Sequence, residues 1–262
     1  MHRSGTSLIS RLLQECGCFM GSDLSINAES KFFRNYNEKI IKSTLADWSD
    51  PKQLIDKLCN KSFLNTHTNK IKMQLFKQQK LENFFSSVKN NEREKTSFKW
   101  GFKDPRTSIT LPIWHQVFPN AFFLHIIRNG IDSSISLNMR TLQQSKSILR
   151  FLPHRNFRSK TLNFNYCFNL WSQYVSCVNK YIPMIPKKQA MEVHYEDLLN
   201  TPELKLQEIL QAMNHHCENA TIHKVSQKVN KSRLDNSSLR SKYLIEIENL
   251  PPDKWMKKYD YT

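Results

Sequence analysis

Residues 121–127, AFFLHII, constrain this chain more than any other stretch. The run is almost continuously apolar. It stops at Arg128-Asn129-Gly130, and a helical pattern of Ile131, Ile135, Leu137 and Met139 follows. A strand without alternation is apolar on both faces. When such strands alternate with helices, they form a parallel sheet covered on both sides. Two further segments read the same way. Residues 97–102 (SFKWGF) run into Lys103-Asp104-Pro105, and residues 190–195 (AMEVHY) run into Glu196-Asp197. All three end in polar or charged residues, which places a binding site at the carboxyl edge of the sheet.

Helical segments fill the intervals. Residues 7–16 put Leu8, Ile9, Leu12, Leu13 and Cys16 on one side, with Gly17 as a C-cap. Residues 52–85 are polar, rich in Lys and Gln, and expected to be helical with loops. Residues 164–181 carry Trp171, Tyr174 and Val178 at helical spacing. Residues 201–213 begin Thr-Pro-Glu: an N-cap, a proline at the first helical position and an acidic first turn. Residues 146–160 are basic and irregular. With 262 residues, no internal repeat and no linker-like stretch, a single domain over 1–262 is expected.

Composition narrows the class. No run of 18 apolar residues exists, so no membrane span is expected. Ser4, Gly5, Ser10 and Arg11 interrupt the start, which does not read as a signal peptide. The six cysteines form no CxxC pair and read as reduced thiols, which points to the cytoplasm. His215, His216 and Cys217 lack a second ligand cluster, so no metal is expected. The net charge of +16 favours polyanionic partners. The cations are scattered without a recognition motif, so specific nucleic-acid binding is not the reading, although it stays a rival.

The chain opens His2-Arg3-Ser4-Gly5-Thr6-Ser7 ahead of its first helix. A turn of small residues at a helix start aims backbone N–H groups and the positive end of the dipole at one point, which suits phosphate. Gly5 lets the backbone approach a ligand closely. Arg3 adds charge, and Thr6 and Ser7 add hydroxyl donors. The loop is not the GxxxxGK[ST] type: its lysine is absent, and a kinase or ATPase reading loses its main support.

Four blocks, in order over roughly residues 1–205, resemble the 3′-phosphoadenosine 5′-phosphosulfate (PAPS)-dependent sulfotransferases, in a bacterial-type branch related to the protein-tyrosine sulfotransferases. MHRSGTSL is similar to the family's phosphate loop. IIRNGIDSSIS matches its 3′-phosphate block through Arg128 and Ser136. FKDPR with the following Phe118-Pro119-Asn120-Ala121, and HYEDLL with Thr201-Pro202-Glu203, match two more. The resemblance implies a P-loop NTPase-like three-layer α/β fold, its central parallel sheet flanked by helices. In that family the loop follows a central strand. Met1 aligns inside the pattern, so the first strand is expected to be missing. The Arg-Lys-Gly segment that closes the nucleotide site in animal cytosolic members is absent. Lys231 and Arg233 are weak substitutes.

The resemblance further implies transfer of a sulfuryl group from PAPS, the cosubstrate, to an acceptor hydroxyl. Arg3, Ser4, Gly5, Thr6 and Ser7 would hold the 5′-phosphate, and Arg128 and Ser136 the 3′-phosphate. Tyr195 would lie near the adenine. Lys103 would stabilise the sulfuryl and bridging oxygens. Glu29 is the first choice for general base, with Asp104 second, although Asp104 beside Lys103 and Arg106 equally serves to orient those cations. Asp132 is read as orienting local backbone or Arg128, and His115 and His125 as structural. The acceptor, a glycan, peptide or small molecule, would be shaped by residues 27–95 and 141–160. Lys146, Arg150, Arg155, Arg158 and Lys160 point to an anionic glycan or an acidic peptide. A nucleotide-binding protein of the same fold without turnover is the alternative.

Overall fold

A computed structural model describes residues 1–77, 80–148 and 160–261. Helices dominate it: α1 (Thr6–Glu15), α2 (Lys31–Lys42), α3 (Lys61–Lys72), α4 (Thr107–Val117), α5 (Gly130–Ile148), α6 (Phe164–Tyr181), α7 (Tyr195–Asn200), α8 (Pro202–Ala212) and α9 (Asn219–Ser226), with shorter helical turns between and after them. Two strands, β1 (Phe123–Ile127) and β2 (Ala190–His194), pair in parallel from Phe123–Ala190 to Ile127–His194. Among the described residues these are the only named strands.

The apolar run does form a strand with both faces covered. Neighbouring residues of a strand point to opposite faces. Ile126 packs into a core built with Leu12 and Leu13 of α1 and with Leu198, Leu206 and Ile222 of α7–α9. Ile127 packs into a second core with Trp114 of α4, Leu137 of α5 and Trp171 of α6. The result is a small parallel sheet with helices on both faces, an α/β arrangement rich in helix.

Two expectations change, at residues 97–102 and at Thr201. Residues 97–102 form no strand. They make a single parallel bridge, Phe19 with Trp100, in which the Phe19 N–H donates to the Lys99 carbonyl and the Gly101 N–H donates to the Phe19 carbonyl, both at 2.9 Å. A strand needs a partner over several residues, and Phe19 supplies one. Residues 52–85 are helical with loops, as expected, in the pieces Lys52–Lys57, α3, a π-turn at Met73–Lys77 and Leu81–Phe84. Thr201 is not a side-chain cap of α8; its Oγ1 donates back to the Asp197 carbonyl at 3.2 Å.

Asn37, fully buried on α2, ties that helix to α4. Its Oδ1 accepts from the Trp114 indole at 2.7 Å and the Thr110 hydroxyl at 2.6 Å, and its Nδ2 donates to Asp104 at 3.1 Å. No helix among the described residues is long and apolar enough to cross a membrane. Arg150, Arg155 and Arg158 lie outside the described residues, as does the side chain of Lys146.

Replacing Asn37 with Ala strands a buried indole N–H and a buried carboxylate acceptor. Each group left unpaired costs about 1–3 kcal/mol. Asn37→Ala is expected to lower the urea midpoint, with an unchanged slope, by an amount corresponding to about 2–4 kcal/mol.

Candidate functional site

Helix α1 has no side-chain cap. Its cap residue is Gly5, in the left-handed region at φ 83°; the Leu8 N–H donates to the Gly5 carbonyl at 2.9 Å, while the N–H groups of Thr6 and Ser7 have no intrahelical acceptor. The left-handed turn is held from beneath. Tyr195, buried at the start of α7, presses its ring against Gly5 so closely that a methyl group there would overlap it. Arg3 also has a positive φ of 67°, unusual for a residue with a side chain. These two turns point the loop outward and bring Arg3 over to α5.

Around that loop the structure gathers cations. Arg3 Nε donates to the Ser136 hydroxyl at 2.9 Å, and Arg128 Nη1 donates to the Arg3 carbonyl at 3.2 Å. The Arg128 guanidinium lies 4.9 Å above the Tyr195 ring, and the Arg128 carbonyl accepts from the Trp171 indole at 3.1 Å. Gly130 faces Trp171 with no room for a side chain. Burial, then the charges of Arg140, Arg128 and Arg233, hold Arg3 below the usual arginine range. No described carboxylate lies within ion-pair distance of any of these four arginines. Neighbouring guanidinium groups repel one another, so a cluster of them without an ion-paired carboxylate, beside a helix N-terminus, is chemically suited to an anion.

A second group lies on the other side of the loop. Lys103 Nζ donates to the Asn27 carbonyl at 2.6 Å and the Ser7 hydroxyl at 3.1 Å, and it pairs with Glu29 at 3.4 Å. Ser7 in turn donates to the Asn27 carbonyl at 2.7 Å. Burial pulls Lys103 below the ordinary lysine value, and Glu29 restores part of that. Glu29 is buried just ahead of the α2 cap, Ser30, whose hydroxyl accepts from the Phe33 N–H. Arg106 approaches Glu29 at 4.0 Å, Glu38 at 3.6 Å and Asp104 at 2.9 Å.

The structure thus brings Arg3, Ser4, Gly5, Thr6, Ser7, Arg128, Ser136 and Tyr195 together around one loop, and puts Lys103 and Glu29 against Ser7. Ser4 is buried within the loop. Tyr195 is likewise buried, its ring occupied by Gly5 and Arg128. Asp104 has no exposed side-chain surface and accepts from Asn37, the Arg106 N–H and the Arg106 guanidinium. That leaves it to orient Arg106. Asp132 does not reach Arg128: it pairs with Arg240 at 2.8 Å and accepts from Asn236 at 3.0 Å. His125 Nδ1 donates to the Glu192 carboxylate, 2.8 Å away on the neighbouring strand. No cluster of three or more metal-ligating side chains occurs among the described residues.

Sequence reasoning missed Arg140, which lies one helical turn beyond Ser136, a spacing that could have disclosed it. It names Arg106, the last residue of FKDPR, only as a cation beside Asp104, and Arg233 only as a weak substitute for the Arg-Lys-Gly segment. Arg233 comes from a turn about a hundred positions beyond Arg128.

Residues 1–218 match a family model described as Sulfotransferase family. No curated protein matches the chain.

The contact between Gly5 and Tyr195 is directly testable. Gly5→Ala adds both a strained φ and an overlap. It is expected to cost clearly more than about 2 kcal/mol in the otherwise unchanged chain, and about 1–2 kcal/mol, the conformational part, in a Tyr195→Ala background. Thermal unfolding of the four members of this cycle reads the difference.

Proposed function

The chain belongs to the sulfotransferase family, and on that premise we propose that it moves a sulfuryl group from PAPS to an acceptor hydroxyl. The observation that carries this reading is the pairing of two sites across one loop. The carboxylate-free arginine cluster fits a phosphate, and the buried Glu29–Lys103 pair fits proton removal beside a developing negative charge.

The first-turn N–H groups of α1, with Thr6 and Ser7, would bind the 5′-phosphate. Arg3, Arg128 and Ser136 would bind the 3′-phosphate, with Arg140 and Arg233 adding charge. Tyr195 supports the loop and Arg128 from beneath. In the transfer, the acceptor oxygen attacks sulfur, the bond from sulfur to the phosphate oxygen breaks, and adenosine 3′,5′-bisphosphate leaves. Lys103 would offset the charge that builds on that bridging oxygen. Glu29, freed from Lys103 as the cation turns to the leaving oxygen, would take the acceptor's proton. Chemistry of this kind rests on alignment and charge rather than on covalent help from the protein. The strong positive balance of the chain supports an acceptor that is itself negatively charged.

Adenosine 3′,5′-bisphosphate is expected to bind in a calorimeter, and Arg3→Ala and Arg128→Ala each to weaken it about 10–100-fold, the worth of hydrogen bonds to a charged group. Absence of binding would overturn the assignment. Binding without turnover on any acceptor would leave a nucleotide-binding protein.

Glu29→Gln is expected to lower kcat about 10²–10⁴-fold with the bisphosphate affinity kept. Turnover also needs Lys103 protonated. Its folded pKa lies below the ordinary lysine value, so activity should persist at lower pH and fall as pH rises through that depressed pKa. Lys103→Arg should remove this alkaline limb from the pH–rate profile, since arginine stays charged.

A further inference from the structure

One carboxylate stands at the edge of the arginine cluster without pairing with a described arginine. Glu196 follows Tyr195, whose ring lies under the Arg128 guanidinium at 4.9 Å. It is half-buried at the start of α7. Asp132, through its hydrogen bond, and more weakly Glu196 hold Arg240 above the usual arginine range, so the charge of Glu196 is felt among these cations.

Both oxygens of Glu196 are engaged elsewhere. Oε1 accepts from the Asn129 backbone N–H at 3.0 Å, and Oε2 accepts from the Tyr261 hydroxyl at 2.9 Å. Asn129 is the link between Arg128 and α5. Its own Oδ1 caps that helix, accepting from the N–H groups of Ile131 at 2.9 Å and Asp132 at 3.3 Å. The turn that Glu196 grips therefore sets Arg128 on one side and, on the other, the helix that carries Ser136 and Arg140.

Tyr261 belongs to a segment docked along β2 and α6. Asp253 accepts from the Ser172 hydroxyl at 2.7 Å and from the Trp255 N–H at 2.8 Å. The Tyr259 hydroxyl accepts from Asn179 at 2.9 Å and donates to Glu192 at 2.8 Å. The rings of Tyr259 and Tyr261 both pack on His194, with centroids 5.6 and 5.4 Å away. Burial, then the carboxylate of Glu196, push the Tyr261 hydroxyl up, so it stays a donor. This segment lies beyond residue 218, where the family match ends.

We propose that Glu196 is a positioning residue of the anion site and Tyr261 its tether: together they fix the turn at Asn129 and keep a carboxylate off the Arg128 guanidinium. A released Glu196, next to the residue on which Arg128 rests, would pair with that guanidinium, since opposite charges in partly buried surroundings attract strongly. An incoming anion would then have to break the pair. Only the identity of that anion, a 3′-phosphate, rests on the sulfuryl-transfer reading.

The test uses the full chain with Tyr261→Phe, with Glu196→Gln and with both. Phenylalanine keeps the ring and removes the tether; glutamine keeps the shape and removes the competing charge. In a calorimeter, Tyr261→Phe is expected to weaken adenosine 3′,5′-bisphosphate about fivefold, the upper worth of a partly exposed ion pair. In the Glu196→Gln background the same change should have no further effect. Adenosine 5′-phosphate, which lacks the 3′-phosphate, should bind every chain equally. Hydrogen exchange without nucleotide reads the turn itself. The Asn129 amide should exchange about tenfold faster or more in Glu196→Ala, and faster in Tyr261→Phe, with the β2 amides unchanged. Equal weakening of both nucleotides by Tyr261→Phe would overturn the assignment. So would the same weakening in the Glu196→Gln background, or unchanged Asn129 exchange in either variant. If the unaltered chain bound neither nucleotide, the sulfuryl-transfer reading would fall, and the exchange readout would decide the tether by itself.

Discussion

The packing of Tyr195 against Gly5 is the contact on which the rest of the site depends. It joins the start of α1 to the end of β2, two points far apart in sequence, and it holds Gly5 in a conformation that residues with side chains avoid. From that fixed turn the first N–H groups of α1 face outward. The same ring supports Arg128 from below, so the loop and the end of β1 are set relative to each other by one side chain. Arg128 in turn grips the Arg3 carbonyl, which places Arg3 against Ser136. A short chain of contacts thus gathers cations at two strand ends.

Electrostatics divides the site into two unlike halves. On the arginine side, positive charges approach one another with no carboxylate among them, an arrangement whose repulsion an anion relieves. On the lysine side every cation has a carboxylate: Lys103 faces Glu29, and Arg106 faces Glu29, Glu38 and Asp104. The first half suits an anion, and the second is the half to which the proposed reaction assigns proton removal. Buried ion pairs of this kind contribute little net stability, because desolvation offsets the attraction, so stability alone gives little reason for the Lys103–Glu29 pair beside the loop.

Much of this was readable along the chain, and what was not has physical reasons. The strand at 121–127 declared itself because burial on both faces leaves no polar positions. Arg128 and Ser136 follow from a strand end and a helix start, both local features. Residues 97–102 look equally strand-like, yet a strand exists only through its partner, and here the partner is Phe19 alone. Glu29 and Lys103 meet across 74 positions, so no local pattern unites them, and only resemblance to a family placed both near the reaction. Arg233 joins the cluster from a turn whose place is set by tertiary packing. Asp104 was ambiguous in sequence because a carboxylate among cations serves either chemistry or order. Its full burial and its bonds to Asn37 and Arg106 fit the ordering role.

The Asn37 hub shows how that order reaches the chemistry. Asn37 holds Trp114 and Thr110 of α4 on its oxygen and Asp104 on its amide. Asp104 holds Arg106, and Arg106 reaches Glu29. Each link is buried, where hydrogen bonds are stronger and loss of a partner is felt more. Glu29 lies ahead of the α2 cap, and Asn37 lies two turns further along the same helix. The position of the carboxylate is therefore fixed from both ends, by the helix that carries it and by the arginine that its own helix anchors. Lys103 completes this part of the site, its ammonium held by a carbonyl, a hydroxyl and a carboxylate. In the proposed reaction a cation and a carboxylate so placed would serve leaving-group stabilisation and proton removal together.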